Sequence, residues 1–207
     1  MVKFKYNVLK TDELCNTFIN QVNKYADLNE KIYMNIKYSK NVWNDPASVS
    51  FSDIVIKDER VCKDIKSNIE KYVGCISFFS NGLRKIFLNK GIILDKLELK
   101  YDGDCVDSCM VKLTEINDIL NSCVNEFNAI TYPLDFEYYD EINSLSSSIL
   151  NLKNKTNCIV NDVDYINKKI NSLVRDTENH KKKIDIILCD KKVVRLESSI
   201  IPLDSAK

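Results

Sequence analysis

The chain has little of what most enzymes build their sites from. Its 207 residues include one histidine, four glycines, three prolines and one tryptophan, and its 30 basic and 30 acidic residues cancel. With a single imidazole, His-rich metal sites are excluded, and any catalytic histidine has to be His180. Gly74, Gly82, Gly91 and Gly103 stand too far apart to form a phosphate-cradling loop, and no P-loop, dinucleotide-binding, zinc-protease or nucleophile-elbow motif occurs. Scarce glycine and proline argue against a turn-rich β-sandwich or barrel. Zero net charge removes the long-range attraction that draws a protein to nucleic acid or an anionic membrane, so no nucleic-acid partner is expected. No apolar run approaches the length of a membrane span, so no membrane insertion is expected. The opening MVKFKYNVLKTDE lacks the apolar stretch of a secretory signal, so the expected compartment is the cytoplasm. Neither an enzyme nor a cofactor is expected.

What is present is apolar periodicity. With 44% hydrophobic and 29% charged residues the chain can build a core, and its apolar residues recur at helical spacing. Leu14, Phe18, Val22, Tyr25, Leu28, Ile32 and Ile36 follow in steps of three and four, which predicts a helix from about Asp12 to Val42 capped by Thr11 or Asp12. Asn44-Asp45-Pro46 ends it. Pro46 suits the first position of a new helix with Asp45 as its cap, and the stripe from Phe51 through Leu83 and Ile86 carries that helix to Leu88, with a kink near Gly82. A third stripe runs Cys105, Cys109, Leu113, Ile116, Leu120, Cys123, Phe127, Ile130. A fourth, capped by Asp135, alternates steps of four and three from Tyr138 through Ile142, Leu145, Ile149 and Leu152 to His180, the heptad signature of coiled-coil packing. Between the hairpins, Leu97, Leu99 and Tyr101 alternate with charged residues, which reads as a short strand or as an irregular linker.

The expected fold is therefore all-α: two long antiparallel helical hairpins forming an elongated bundle or coiled coil, with a short strand pair near 96–101 and 193–197. The expected organisation is a first hairpin over 1–90, a linker over 91–103, a second hairpin with heptads over 104–190 and a tail over 191–207. The eight cysteines include no C-x-x-C, and Cys105, Cys109 and Cys123 sit on an apolar stripe. Small buried hydrophobes with free thiols, in a reducing compartment, account for them better than zinc or disulfides. His180 continues the heptad near a helix end, and the acidic cluster Glu137, Asp140 and Glu141 suits a helix start.

The most distinctive stretch is the corner Val42-Trp43-Asn44-Asp45-Pro46-Ala47-Ser48-Val49-Ser50-Phe51. On packing alone, its Trp43 reads as the plug of an open hairpin end. A long amphipathic helix, W-x-D, small residues, Phe51 and a second long helix together resemble the small WXG hairpins, with their LXG-toxin and accessory relatives, of type VII secretion systems. In that family a W-x-G turn joins two antiparallel helices, and Asp45 stands here in the place of the glycine. The resemblance implies a secreted substrate, or an accessory that binds the helical targeting domain of a toxin, exported without a signal peptide. It also sets Phe136 and Asp140, an F-x-x-x-D, beside the family's Y-x-x-x-[DE] export signal. The residues expected to bind a helical partner, or a second copy, are Trp43, Asp45, Phe51, Leu145, Ile149, Leu152, Phe136 and Asp140. A cytosolic coiled-coil scaffold or adaptor is the alternative.

Overall fold

The computed structural model describes residues 2–39, 41–130 and 138–190. In chain order these form strand β1 (Lys3–Asn7), helix α1 (Val8–Ser39), helix α2 (Pro46–Leu88), a 3-10 turn (Leu94–Lys96), strand β2 (Glu98–Asp102), helix α3 (Gly103–Ala129) and helix α4 (Tyr139–Asp190). The all-α class with one small strand pair holds. The pairing differs from expectation: β2 runs antiparallel to β1, with Phe4 opposite Tyr101 and Lys3 opposite Asp102. The segment 193–197, expected as the second strand, lies outside the described residues, as does Asp135.

Two compact units make up the chain. The first takes Met1–Thr17 and Ile76–Thr177. Its core gathers Val8, Leu83, Ile86, Phe87, Leu94, Tyr101, Ile170 and Leu173. The sheet is the lid of that core, because strand alternation sends Phe4 and Tyr6 inward and Lys3 and Lys5 outward. Phe4 stacks on Tyr101 at 5.2 Å and meets Phe79 edge-on at 5.6 Å. Outside, Lys3 pairs with Asp102 at 3.0 Å and Lys5 with Glu98 at 2.9 Å across the strands. Residues 91–103 thus hold a turn and a strand that feed Leu94 and Tyr101 into the core.

Local chemistry sets the helix ends. α1 begins four residues before Asp12, because Asn7, the last strand residue, caps it by accepting the Lys10 N–H at 2.9 Å. Asp102 plays the same double part for α3, accepting from the N–H groups of Asp104 and Cys105. α2 ends in a Schellman turn: the Ile92 N–H reaches the Phe87 carbonyl at 3.0 Å and the Gly91 N–H reaches Leu88 at 2.9 Å. Gly91 sits at φ +73°, where a side chain would be strained.

The third and fourth stripes need a correction by one residue. In α3 the buried or half-buried line is Val106, Met110, Leu113, Asn117, Leu120, Val124, Phe127, while Cys105, Cys109, Ile116 and Ile130 are exposed. In α4 the period-seven line Ile142, Ile149, Thr156, Val163, Ile170 is buried or half-buried as expected. Its companion line is Ser146, Lys153, Val160, Asn167 and Val174, so Leu145, Leu152 and Ile159 stay out. α1 behaves likewise: Cys15, Val22 and Tyr33 are buried, while Leu14, Phe18, Tyr25, Leu28 and Ile32 are exposed. In α4 the physical reason is that small and polar residues in the seam, such as Ser146, Thr156 and Asn167, let a paired helix approach closely, and the larger apolar residues are left along its flank.

The second unit takes Phe18–Cys75 and the described part of Glu178–Lys207. There α1 and α2 reverse direction at the Trp43 corner and share a seam in which Tyr33 and Cys62 meet.

Candidate interaction surfaces

The corner is built on a reciprocal cap. The Ser48 N–H donates to Asp45 Oδ1 at 2.8 Å, and the Asp45 N–H donates back to the Ser48 hydroxyl oxygen at 3.3 Å. This is the logic of a capping box, with serine in the returning position. The N–H of Ser48, then the Trp43 side chain, hold the Asp45 carboxyl below its ordinary range. Ahead of it, the Trp43 N–H closes on the Ser39 carbonyl at 2.8 Å. Trp43 and Phe51 come together across this turn, ring centres 6.0 Å apart and tilted by 40°. Trp43 is 43% exposed and Phe51 42% exposed, with Val42, Val49 and Ile54 also exposed nearby. The tryptophan therefore does not seal the hairpin end as a plug. It leans on Phe51 and keeps much of its ring in solvent.

Behind the corner, in the same unit, α1 and α2 enclose a cavity of about 190 Å³ whose lining includes Asn29, Tyr33, Glu59, Cys62, Lys63 and Lys66. The hydroxyls of Tyr25 and Tyr33 both lie on Cys62 Sγ, at 3.4 and 3.5 Å. Burial, then the contact with Cys62, push the Tyr33 hydroxyl above its ordinary pKa. Lys63 and Glu59 pair at 2.8 Å on the wall. Sequence reading missed this cluster, since nothing in the spacing of two tyrosines and a cysteine on different helices marks them as neighbours.

The remaining expected residues lie in the first unit, apart from Phe136, which is outside the described residues. They do not form one patch. Ile149 turns into the seam and is half-buried, whereas Leu145 and Leu152 are exposed at 51% and 54%, followed seven residues on by Ile159 at 51%. Asp140 is exposed in the first turn of α4, where its charge suits the helix dipole. Cys15, Cys62, Cys75, Cys105, Cys109, Cys123 and Cys158 form no disulfide, and among the described residues no helix is long and apolar enough to cross a membrane. No known protein family, curated protein sequence or solved structure matches this chain.

Proposed function

We propose that this chain is a non-enzymatic interaction protein that docks a helical partner by packing apolar side chains, with the Trp43 corner as its recognition feature. One observation carries the reading: Trp43 and Phe51 are held together on a capped turn yet left more than two-fifths exposed. An aromatic pair fixed before binding loses little side-chain entropy when covered, and tryptophan is among the residues most often found at the energetic centre of an interface. Exposed Val42, Val49 and Ile54 extend the same apolar surface.

The partner class follows from the resemblance of the corner to the WXG hairpins. The chain acts as an accessory of, or a substrate for, a type VII secretion system, and its partner is the helical targeting domain of an LXG-type toxin. It is made in the cytoplasm, where it meets that partner. A second reading, a cytosolic scaffold unrelated to secretion, is favoured by the free thiols spread over all four helices. The test is light scattering on the chain mixed with the helical domains encoded by neighbouring genes. A stable complex that is lost on Trp43→Ala, with the fold intact by circular dichroism, supports the accessory reading. A chain indifferent to every such domain, and retained in the cytosolic fraction of a culture, supports the scaffold.

A further inference from the structure

One line on α2 changes character along the helix. In steps of seven it reads Gly82, Cys75, Asn68, Val61, Ile54. Such a step keeps residues on nearly one face, because two helical turns take about 7.2 residues. Gly82, Cys75 and Asn68 are half-buried, whereas Val61 and Ile54 are exposed. Beside the line the same change falls between half-buried Tyr72 and exposed Ile65.

At its covered end the line lies under α4. Leu173 stands against Gly82. Seven residues later on α2, Asn89 Nδ2 donates to the hydroxyl of Tyr165, eight residues earlier on α4, at 3.2 Å. The two helices therefore run antiparallel and advance residue for residue. Each is unbroken, α2 from Pro46 to Leu88 and α4 from Tyr139 to Asp190. Counted on, Ile184 falls at the level of Lys71 and Tyr72. There Ile184 is buried and Tyr72 half-buried, as two helices still in contact leave them. Asp190 falls at the level of Ile65, where the exposed stretch begins.

Residues 191–207 follow, and their sequence fits that stretch. In steps of seven the α4 line reads Leu173, His180, Ile187, Val194, Ile201. Set against the α2 line, with Leu173 opposite Gly82, it brings Val194 opposite Val61 and Ile201 opposite Ile54. The two exposed apolar positions thus each meet a β-branched apolar residue. Pro202 then stops a helix at Ile201, one turn short of Phe51. Residues 191–201 run about 16 Å at 1.5 Å per residue, as does α2 from Ile65 to Ile54.

We propose that residues 191–201 prolong α4 and dock on α2, with Val194 over Val61 and Ile201 over Ile54. The occupant is this chain's own tail because α4 delivers it to the face at the right level. A tethered segment also meets its site at a high effective concentration, which a second copy does not. Of the apolar surface around the corner the tail takes only Ile54, so Trp43 and Phe51 stay open.

The test is site-specific photo-crosslinking on the full chain, with benzoylphenylalanine in place of Val61 or, in a second variant, of Ile54. Position 61 is expected to join residues around Val194 and position 54 residues around Ile201. Both products are expected within one chain, at monomer size, mapped by mass spectrometry. Val194→Glu is expected to abolish the first cross-link with the helical content unchanged by circular dichroism. A product joining two copies, no cross-link to the tail, the reverse order along the tail, or a first cross-link that survives Val194→Glu overturns the proposal. Neither variant needs a partner protein, so the outcome is read separately from whether the Trp43 corner docks a helical domain.

Discussion

Gly82 and Leu173 lie so close that a Cβ added to the glycine would stand 2.3 Å from Leu173 Cδ1 and 2.7 Å from Cδ2. The missing side chain is what lets α2 approach α4 at the core of the first unit. Glycine inside a helix costs about 1 kcal/mol relative to alanine. Gly82→Ala recovers that propensity and still destabilises, because the clash falls on a buried leucine and overpacking costs about 1–3 kcal/mol. Gly74, with nothing within 4 Å, is the control: Gly74→Ala stabilises by up to about 1 kcal/mol. Urea unfolding of the two variants reads opposite signs.

Asn117 occupies the seam line of α3, and its side-chain oxygen is buried without a hydrogen-bond partner. A buried unmet acceptor costs about 1–3 kcal/mol. Asn117→Leu is therefore expected to raise the urea midpoint. A lowered midpoint contradicts the seam assignment.

Tyr6 donates to, or accepts from, the fully buried hydroxyl of Ser80 at 2.8 Å, and burial pushes the Tyr6 pKa up. Burial, then the charge of Asp107, do the same for Tyr101, whose hydroxyl donates to Asn167. Both phenols hold their protons more tightly folded than unfolded. Their contribution is complete below the unfolded value of about 10 and is lost as pH climbs toward the folded value. Burial likewise pushes the Cys15 thiol up from a lower starting value, so stability is expected to begin falling as pH rises through the thiol range and to fall further as the tyrosines titrate. Tyr101→Phe shallows that fall, measured as urea midpoint against pH.

Asp45 is a carboxylate whose pKa is lowered by the N–H of Ser48, so the cap persists above the ordinary carboxylate range and is lost as pH falls through its folded value. Asp45→Ala loosens the start of α2 and with it the Trp43–Phe51 contact. Trp43 is the only tryptophan, so its anisotropy reports the corner directly. The variant is expected to show faster depolarisation at pH 7, as wild type does when acidified.

How much of this was legible follows from particular residues. Pro46 and Leu88 marked the ends of α2 because proline placement and the loss of apolar spacing are local signals. The period-seven line from Ile142 to Ile170 was legible for the same reason. Its companion line was not: the heptad rule chose Leu145, Leu152 and Ile159 over Ser146, Lys153 and Val160, because it assumes the largest apolar residues fill the seam. Which flank becomes the seam depends on how closely two backbones approach, and that is set by a partner helix. The strand β1 carried a readable signal, with Phe4, Tyr6 and Val8 alternating with Lys3, Lys5 and Asn7, but its pairing with β2 nearly a hundred residues away is a tertiary fact. At the corner, the residue types Trp43, Asp45 and Phe51 were legible. Their exposure was not, since on packing alone a lone tryptophan at a helix corner reads as a plug.

The central claim is that the Trp43 corner is the docking point for a helical partner. The direct measurement is a titration of the chain with a tryptophan-free helical targeting domain, following Trp43 emission. A saturable blue shift, absent with a domain whose apolar face has been charged, is the result this account predicts. A complex that forms while Trp43 emission stays unchanged, or no complex with any such domain, contradicts it.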